Sequence, residues 1–531
     1  MATRARAAFL AALPLLALML ATAQSRAQRA DPLDVPAVRV QQGVLVGHRE
    51  DDVNVFQGIP YATPPVGERR WRPPEPPGGW QGRRFAMRFS PECSQLPYPE
   101  GSFFDRGITP SSEDCLYLNV WTATLDAKAR RPVMVWIHGG ALTRGSGGSP
   151  WYDGRALARK GVVLVTFNYR LGPFGYLAHP ELTEESEREA SGNYGLLDQI
   201  AALRWVRDNI AGFGGDPGNV TIFGESAGSW SVHQLTASPL AEGLFHKAIG
   251  QSGGHAYPIP ELSRARFGLP AHEQRGLELQ SAAGVHSLAA LRGLPADAIL
   301  GAWERSGIEG LARPVVDGWV LPDQIVSLYQ EGRHNAVPLI LGSNRDEGTN
   351  LTLGRVPADA ETLRQALRER FGPLAEDVLR AYRGGQDVRR AYLQSFRDET
   401  FTWPMRHWAR LAAAQGQNVW LYYFTHEPPD VDPKRFGAYH AAEIRYVFDH
   451  PGVDMDARRR DRSLADTLSE LWINFAATGV PSAPGAPSWP AYDPERERYL
   501  VLDEEVRVEE GLLEEEMALF EKIGAARWEE E

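Results

Sequence analysis

The sequence predicts an α/β fold, a mostly parallel twisted sheet covered by helices, and three observations predict it. Short apolar runs rich in β-branched and aromatic residues recur at 116–122, 133–138, 162–168, 337–341 and 419–424, separated by loop or helix-compatible segments. Runs of that kind mark strands buried on both faces, the usual condition of a parallel sheet. Between Tyr194 and Ile210 apolar residues such as Leu197, Ile200, Leu203 and Val206 recur at helical spacing. Finally, residues 220–223 have strand character and run straight into Gly224-Glu225-Ser226-Ala227-Gly228, after which 229–235 can be a helix.

Taken in chain order, the N-terminus reads as a secretory signal. Arg4 and Arg6 precede an apolar stretch at 7–21, and Ala21-Thr22-Ala23 has the small-x-small form of a cleavage site. The stretch is short for a membrane span and contains Pro14, so cleavage after Ala23 is expected, leaving no anchor and a secreted or periplasmic product. The remainder, 24–531, is expected to be one elaborated domain, since no repeat or low-complexity tract divides it. A hairpin is expected over 38–46 and a strand over 53–59. The proline-dense stretch 61–74 then reads as rigid, irregular surface structure. Segments 261–335 and 358–415 are largely helix-compatible, and His440 is expected on a loop ahead of a short helix.

Composition excludes several functions. Net charge is −12, which argues against nucleic acid and anionic membrane as partners. Only two cysteines occur, Cys93 and Cys115. In an exported chain such a pair reads as one disulfide, closing a loop of about twenty residues for roughly 3 kcal/mol, whereas in the cytosol both would be free thiols. With no third cysteine and no His-x-x-x-His pattern, no metal site is expected, and nothing calls for a cofactor.

A Gly-x-Ser-x-Gly pentapeptide by itself proves little, and Gly250-Gln251-Ser252-Gly253-Gly254 fits the same pattern. Context separates the two. Pro258 and Pro260 follow the second and forbid the helix that a nucleophile-bearing elbow requires, so Ser226 is the expected nucleophile and Ser252 a structural serine. A serine hydroxyl needs a base to take its proton and an acid to hold the base. Ser226, Glu347 and His440 fall in the order serine, acid, histidine, and Glu347 lies just past the strand at 337–341. With thirteen histidines, spacing leaves several candidates for the base. His138-Gly139-Gly140-Ala141 follows the strand at 133–137, where backbone N–H groups can be aimed at a developing oxyanion. Gly140, Ala141 and Ala227 are the expected donors.

With those motifs in place, the chain resembles the type-B carboxylesterases, the family that includes the cholinesterases, over nearly all of its mature length. The matching stretches include Gln57-Gly58-Ile59-Pro60-Tyr61-Ala62, Glu113-Asp114-Cys115-Leu116-Tyr117-Leu118-Asn119-Val120 and Asn168-Tyr169-Arg170-Leu171-Gly172. Further on come Asn193-Tyr194-Gly195-Leu196-Leu197-Asp198-Gln199, Phe213-Gly214-Gly215-Asp216-Pro217, Asp346-Glu347-Gly348, and His440 with Glu443-Ile444. The resemblance implies an α/β-hydrolase fold with helical insertions around a gorge. It places the acid on Glu347 rather than Asp346, the base on His440, and a disulfide between Cys93 and Cys115.

It also implies a serine esterase acting on small neutral esters through an acyl-enzyme, without cofactor. An amidase, lactonase or thioesterase would use the same residues. A non-catalytic adhesion member of the fold would have lost some of them, and all three are present. Two departures stand out: Ala141 replaces a glycine common in the family, and residues 94–114 lack the tryptophan on which cholinesterases stack choline. Trp230, Trp403, Phe174 and Leu142 are either plain packing or pocket wall.

Overall fold

The computed structural model describes residues 35–104, 109–450, 459 and 461–529. The signal expected at 1–23 lies outside the described residues. A hairpin, β1 (Ala37–Val40) and β2 (Gly43–Val46), forms where alternation predicts it, and leads to β3 (His48–Glu50) and β4 (Val53–Pro60). Short strands β5 (Arg83–Phe85), β6 (Glu92–Cys93) and β7 (Ser111–Ser112) precede the main series. That series is β8 (Tyr117–Thr122), β9 (Arg131–Ile137), β10 (Val163–Phe167), β11 (Gly215–Glu225), β12 (Lys247–Gln251), β13 (Leu339–Asn344) and β14 (Val419–Phe424). It closes with β15 (Arg498–Leu502) and β16 (Arg507–Glu510).

Eleven strands form one sheet in the order β16-β15-β14-β13-β12-β11-β9-β10-β8-β4-β3. Pairing is parallel from β10 through β9 and β11 to β15, and antiparallel at both edges. The parallel strands are buried on both faces, which is why they read as unbroken apolar runs. Side chains of β9 alternate between two cores. Val133, Val135 and Ile137 join one with Leu196, Ile200 and Leu203 of helix Tyr194–Asn209. Met134 and Trp136 join the other with Leu468, Leu471 and Trp472 of helix Arg462–Thr478. Truncating any such fully buried residue to alanine costs about 2–5 kcal/mol. The edge strands β3 and β16 are charged and partly exposed, which discourages pairing with another chain.

The strand order reverses where β9 lies between β10 and β11. Loops leaving the C-terminal ends of parallel strands meet in a crevice at such a point. Those of β9, β11, β13 and β14 carry Gly140, Ser226, Glu347 and His440 respectively.

The hairpin β1–β2 joins β5 in a small separate sheet. Two features differ from the sequence expectation. Segment 261–335 is helical only in part. Helices His272–Ala282, Leu288–Arg292, Ala296–Ser306 and Ile325–Gln330 flank an irregular loop at 307–324, where Asp317 Oδ1 accepts hydrogen bonds from the N–H groups of Trp319, Val320 and Leu321. In segment 358–415 the helices Val388–Arg397 and Trp403–Ala414 are joined by one wide π-type turn, Asp398–Thr402. Such turns frequently sit at functional sites.

Cys93 and Cys115 form a disulfide across 22 positions, and β6 and β7 pair within the loop it closes. Among the described residues, no helix is long and apolar enough to cross a membrane.

Candidate active site

Ser226 sits between β11 and helix Ala227–Ala237 at φ 56° and ψ −123°, a backbone state that non-glycine residues rarely occupy and that costs of order 1–3 kcal/mol. The surrounding structure enforces it. Ser226 N–H donates to Gln251 O at 2.8 Å, and Trp230 N–H donates to Ser226 O at 3.0 Å. The glycines on either side are required by contact rather than by conformation. A Cβ on Gly228 would stand 2.0 Å from Ile137 O, and one on Gly224 2.6 Å from the Gly228 carbonyl carbon.

The second pentapeptide folds partly alike. Ser252 also has positive φ, 54°, at the end of β12, and its N–H donates to Gly342 O at 2.8 Å. No helix follows it, and its side chain is fully buried with no hydrogen-bond partner for Oγ. Ser226, by contrast, is partly exposed.

The loop after β9 wraps over the elbow. A Cβ on Gly139 would lie 2.8 Å from Glu225 O and 3.1 Å from Ser226 Cβ, and Gly140, at φ 108°, has no room for one against Arg144 O. Gly140 O accepts from the N–H groups of Thr143 and Arg144, both at 3.0 Å, which folds the loop into a tight turn. The backbone N–H groups of Gly140, Ala141 and Ala227 donate no hydrogen bond among the described residues. Ala227 is moreover the first residue of its helix, where N–H groups point outward unpaired. Ala141 takes φ 56°, which explains why glycine would be easier there while leaving N–H supply intact.

Glu347 is fully buried and divides its carboxylate between two donors. Oε1 accepts from Asn344 N–H at 2.7 Å, and Oε2 accepts from His440 Nδ1 at 2.5 Å. Asp346 does something different: its Oδ2 accepts from Ala438 N–H at 2.9 Å and from Arg345 Nε at 2.9 Å, clamping the loop that carries His440. His440 is further fixed by Asn350, whose side chain bonds both its N–H and its carbonyl, and by the ring of Phe401 at 4.6 Å. Phe401 comes from the π-type turn.

The other ring nitrogen, Nε2, lies 3.0 Å from Glu225 Oε1, in ion-pair range but not aligned for a hydrogen bond, and it makes no hydrogen bond to Ser226 Oγ in this structure. Such contacts in unliganded sites often tighten only with substrate bound. Glu225 is buried, as is Glu443, whose carboxylate accepts from Gln251 Nε2 at 2.9 Å and Asn344 Nδ2 at 2.6 Å. Trp472 Nε1 donates to Gln251 Oε1 at 3.0 Å and anchors that pair from the second core. Three buried carboxylates thus stand around one buried imidazole.

Burial pushes the Glu225 carboxyl up to about 8; His440 draws it back, while Glu443 and Glu347 add repulsion. Burial also raises Glu443, with repulsion from Glu347, against the hydrogen bonds of Asn344 and Gln251. For His440 burial acts downward, but the attraction of Glu225 and then Glu347 outweighs it and lifts the imidazole to about 9. Glu225 and Glu443 carried no role in the sequence reading. Their sequence signal was position: one adjoins Ser226 at a strand end, the other follows His440 by three residues.

Trp230 and Leu142, chain neighbours of the elbow and of the loop after β9, line a cavity of about 570 Å³, whereas Trp403 is core. Phe174 is buried beside the disulfide, where it helps line a narrow gap.

The family model described as the carboxylesterase family matches residues 34–520. A fumonisin B1 esterase of Sphingopyxis macrogoltabida is 39% identical over 481 residues, spanning 87% of this chain and 85% of that protein. A para-nitrobenzyl esterase of Bacillus subtilis is likewise 39% identical over 481 residues, spanning 89% and 96%. Among solved structures, a Geobacillus stearothermophilus carboxylesterase superposes with a TM-score of 0.80 at 36% identity, over 91% of this chain and 99% of that one.

Proposed function

The chain belongs to the carboxylesterase family, with the α/β-hydrolase fold and an ester-hydrolase activity, and we propose that it works through an acyl-enzyme on Ser226. The observation that carries this reading is the meeting of Glu347 and His440 at 2.5 Å beside an elbow whose N–H groups are unspent. Ser226 Oγ attacks the ester carbonyl while His440 Nε2 takes its proton, and Glu347 stabilises the imidazolium through Nδ1. The N–H groups of Gly140, Ala141 and Ala227 hold the oxyanion. His440 then protonates the departing alcohol and activates the water that releases the acid. For this His440 must be neutral, and because Glu225 and Glu347 lift its pKa to about 9, activity should rise with pH towards that value.

The two relatives are named for different esters, so the family fixes the reaction rather than the acyl or alcohol group. We take neutral carboxylic esters as the substrates. The test is labelling with a fluorophosphonate and mapping of the adduct, followed by kcat/KM over 4-nitrophenyl esters beside amide, lactone and thioester analogues. An adduct on Ser226 and turnover led by the oxygen esters is the expected result. Modification of Ser252 alone, or faster turnover of an amide, lactone or thioester, would overturn it.

Export belongs to the same proposal. The Cys93–Cys115 disulfide and the N-terminal sequence pattern support a signal at 1–23 followed by one domain. Intact mass of the native protein should begin near Gln24 with no alkylatable thiol, and a cytosolic chain retaining Met1 would refute export.

A further inference from the structure

We propose that the cavity beside Ser226 is a carboxylate-binding subsite with Arg313 as its counter-ion, so that esters bearing a free carboxylate away from the scissile bond are favoured substrates. The inference rests on the esterase reading above and widens its substrate class from neutral esters to esters that also carry a carboxylate. The cavity measures about 570 Å³, within the usual range for small-molecule sites. Three of its walls tie it to the elbow. Leu142 directly follows Ala141, Trp230 N–H bonds Ser226 O, and Gly254 follows a glycine whose Cβ would stand 2.3 Å from Ser226 O. The π-type turn that sets Phe401 against His440 gives the cavity Glu399 and Thr400.

The charges in this space do not cancel. Three arginines, Arg313, Arg370 and Arg527, face two glutamates, Glu369 and Glu399, leaving one positive charge on a chain whose net charge is −12. Arg370 and Arg527 both pair with Glu399, the latter at 2.5 Å, and Arg527 also lies 4.3 Å over the Tyr257 ring. Glu369 accepts from Gln365 on the rim. His255 adds no charge, because burial, with repulsion from Arg313, lowers it to about 3.

Arg313 is the unsatisfied member. It makes no hydrogen bond and no ion pair among the described residues, although its side chain reaches both this cavity and a smaller one of about 140 Å³. Arg313 is exposed by surface area, and the desolvation its neighbours still impose lowers its pKa, with attraction from Glu309 acting against this and repulsion from Arg275 adding to it. The backbone just after it is anchored. Val315 N–H donates to Asn193 Oδ1 at 3.1 Å, Val316 N–H donates to Pro260 O at 2.9 Å, and Pro314 intervenes. A fixed backbone, an open cavity and an unspent planar guanidinium are what bidentate capture of a carboxylate needs.

The test compares 4-nitrophenyl half-esters of adipic, pimelic and suberic acids with their neutral methyl diesters, and a second series carries the carboxylate on the phenol side instead. In the native enzyme the charged member of one series should exceed its neutral partner about tenfold in kcat/KM, mostly through KM. That ratio should fall to about one in Arg313→Gln and survive in part in Arg313→Lys. A ratio near one in both series, or a preference that persists in Arg313→Gln, overturns the subsite while leaving the esterase reading standing. Failure to hydrolyse any of these esters, charged or neutral, would overturn both.

Discussion

Nε2 of His440 lies 3.0 Å from Oε1 of Glu225, the residue immediately before Ser226 in the chain. The neighbour of the proposed nucleophile therefore competes with it for the His440 ring, and when ionised it does so with a buried charge. Removing that charge in Glu225→Gln should lower the pKa of His440, since an opposite charge at this distance favours the imidazolium. Activity requires neutral imidazole, so the acid limb of the kcat/KM profile should move to lower pH, by on the order of one pH unit. A limb that stays in place, or moves to higher pH, would show that Glu225 does not set the state of His440.

Glu347→Gln should lower kcat by about 10⁴-fold with the fold intact, because an amide cannot stabilise the imidazolium and can hold the wrong tautomer. Asp346→Asn keeps an acceptor for Ala438 N–H and should cost only about 1–2 kcal/mol of stability, with kcat within tenfold of native. Steady-state kinetics and chemical denaturation of the two variants separate the roles, and a reversal of this ranking would mean that the wrong carboxylate has been assigned.

Gly228→Ala brings a methyl to 2.0 Å from Ile137 O, a backbone atom inside the sheet that cannot swing aside. Loss of about 1–3 kcal/mol or more, together with most of the activity, is expected. Gly78→Ala, where the new Cβ meets nothing within 4 Å, is the control and should behave as native in both assays.

Cys93→Ser/Cys115→Ser should reduce the unfolding free energy by about 3 kcal/mol, the chain-entropy value for a loop of this length, and reductant should reproduce the loss. A double variant as stable as native under oxidising conditions would show that the loop is held by its packing instead.

Choline esters should enjoy no special preference. Beyond the missing tryptophan, the aromatic faces in the cysteine-bounded loop are taken. Tyr98 lies under the Arg144 guanidinium at 5.7 Å, and Phe103 packs against Phe104, Phe436 and Tyr439. Butyrylcholine measured against its uncharged 3,3-dimethylbutyl isostere should differ by less than about tenfold in kcat/KM, the value of a single good cation–π contact.

What was legible in the sequence follows from where the information resides. The unbroken apolar strands announce themselves because burial on both faces leaves no polar alternation. The elbow announces itself because backbone crossing at Gly224 and Gly228 tolerates no side chain. The pairing of His440 with Glu347 was legible only through family motifs, since 93 positions separate the two and no periodicity spans them. The clustering of Glu225 and Glu443 around the same ring was legible only as their nearness in the chain to Ser226 and His440, because a buried charge looks like any surface charge until the fold removes its water. Arg313 was hidden for the opposite reason: an irregular loop, closed by Asp317, carries it to a cavity that no local pattern marks.

The cavity wall joins Leu142 to Arg527, so its parts are made at widely separated moments of synthesis. The residues of the elbow are synthesised before Gln251, whose carbonyl holds the Ser226 N–H, and well before Glu347, His440 and the helix Glu514–Glu529 that carries Arg527. A growing chain therefore carries the proposed nucleophile before the residues proposed to activate it and before the far wall of the cavity. On that reading, reactivity and discrimination arrive together, and a half-made chain has neither.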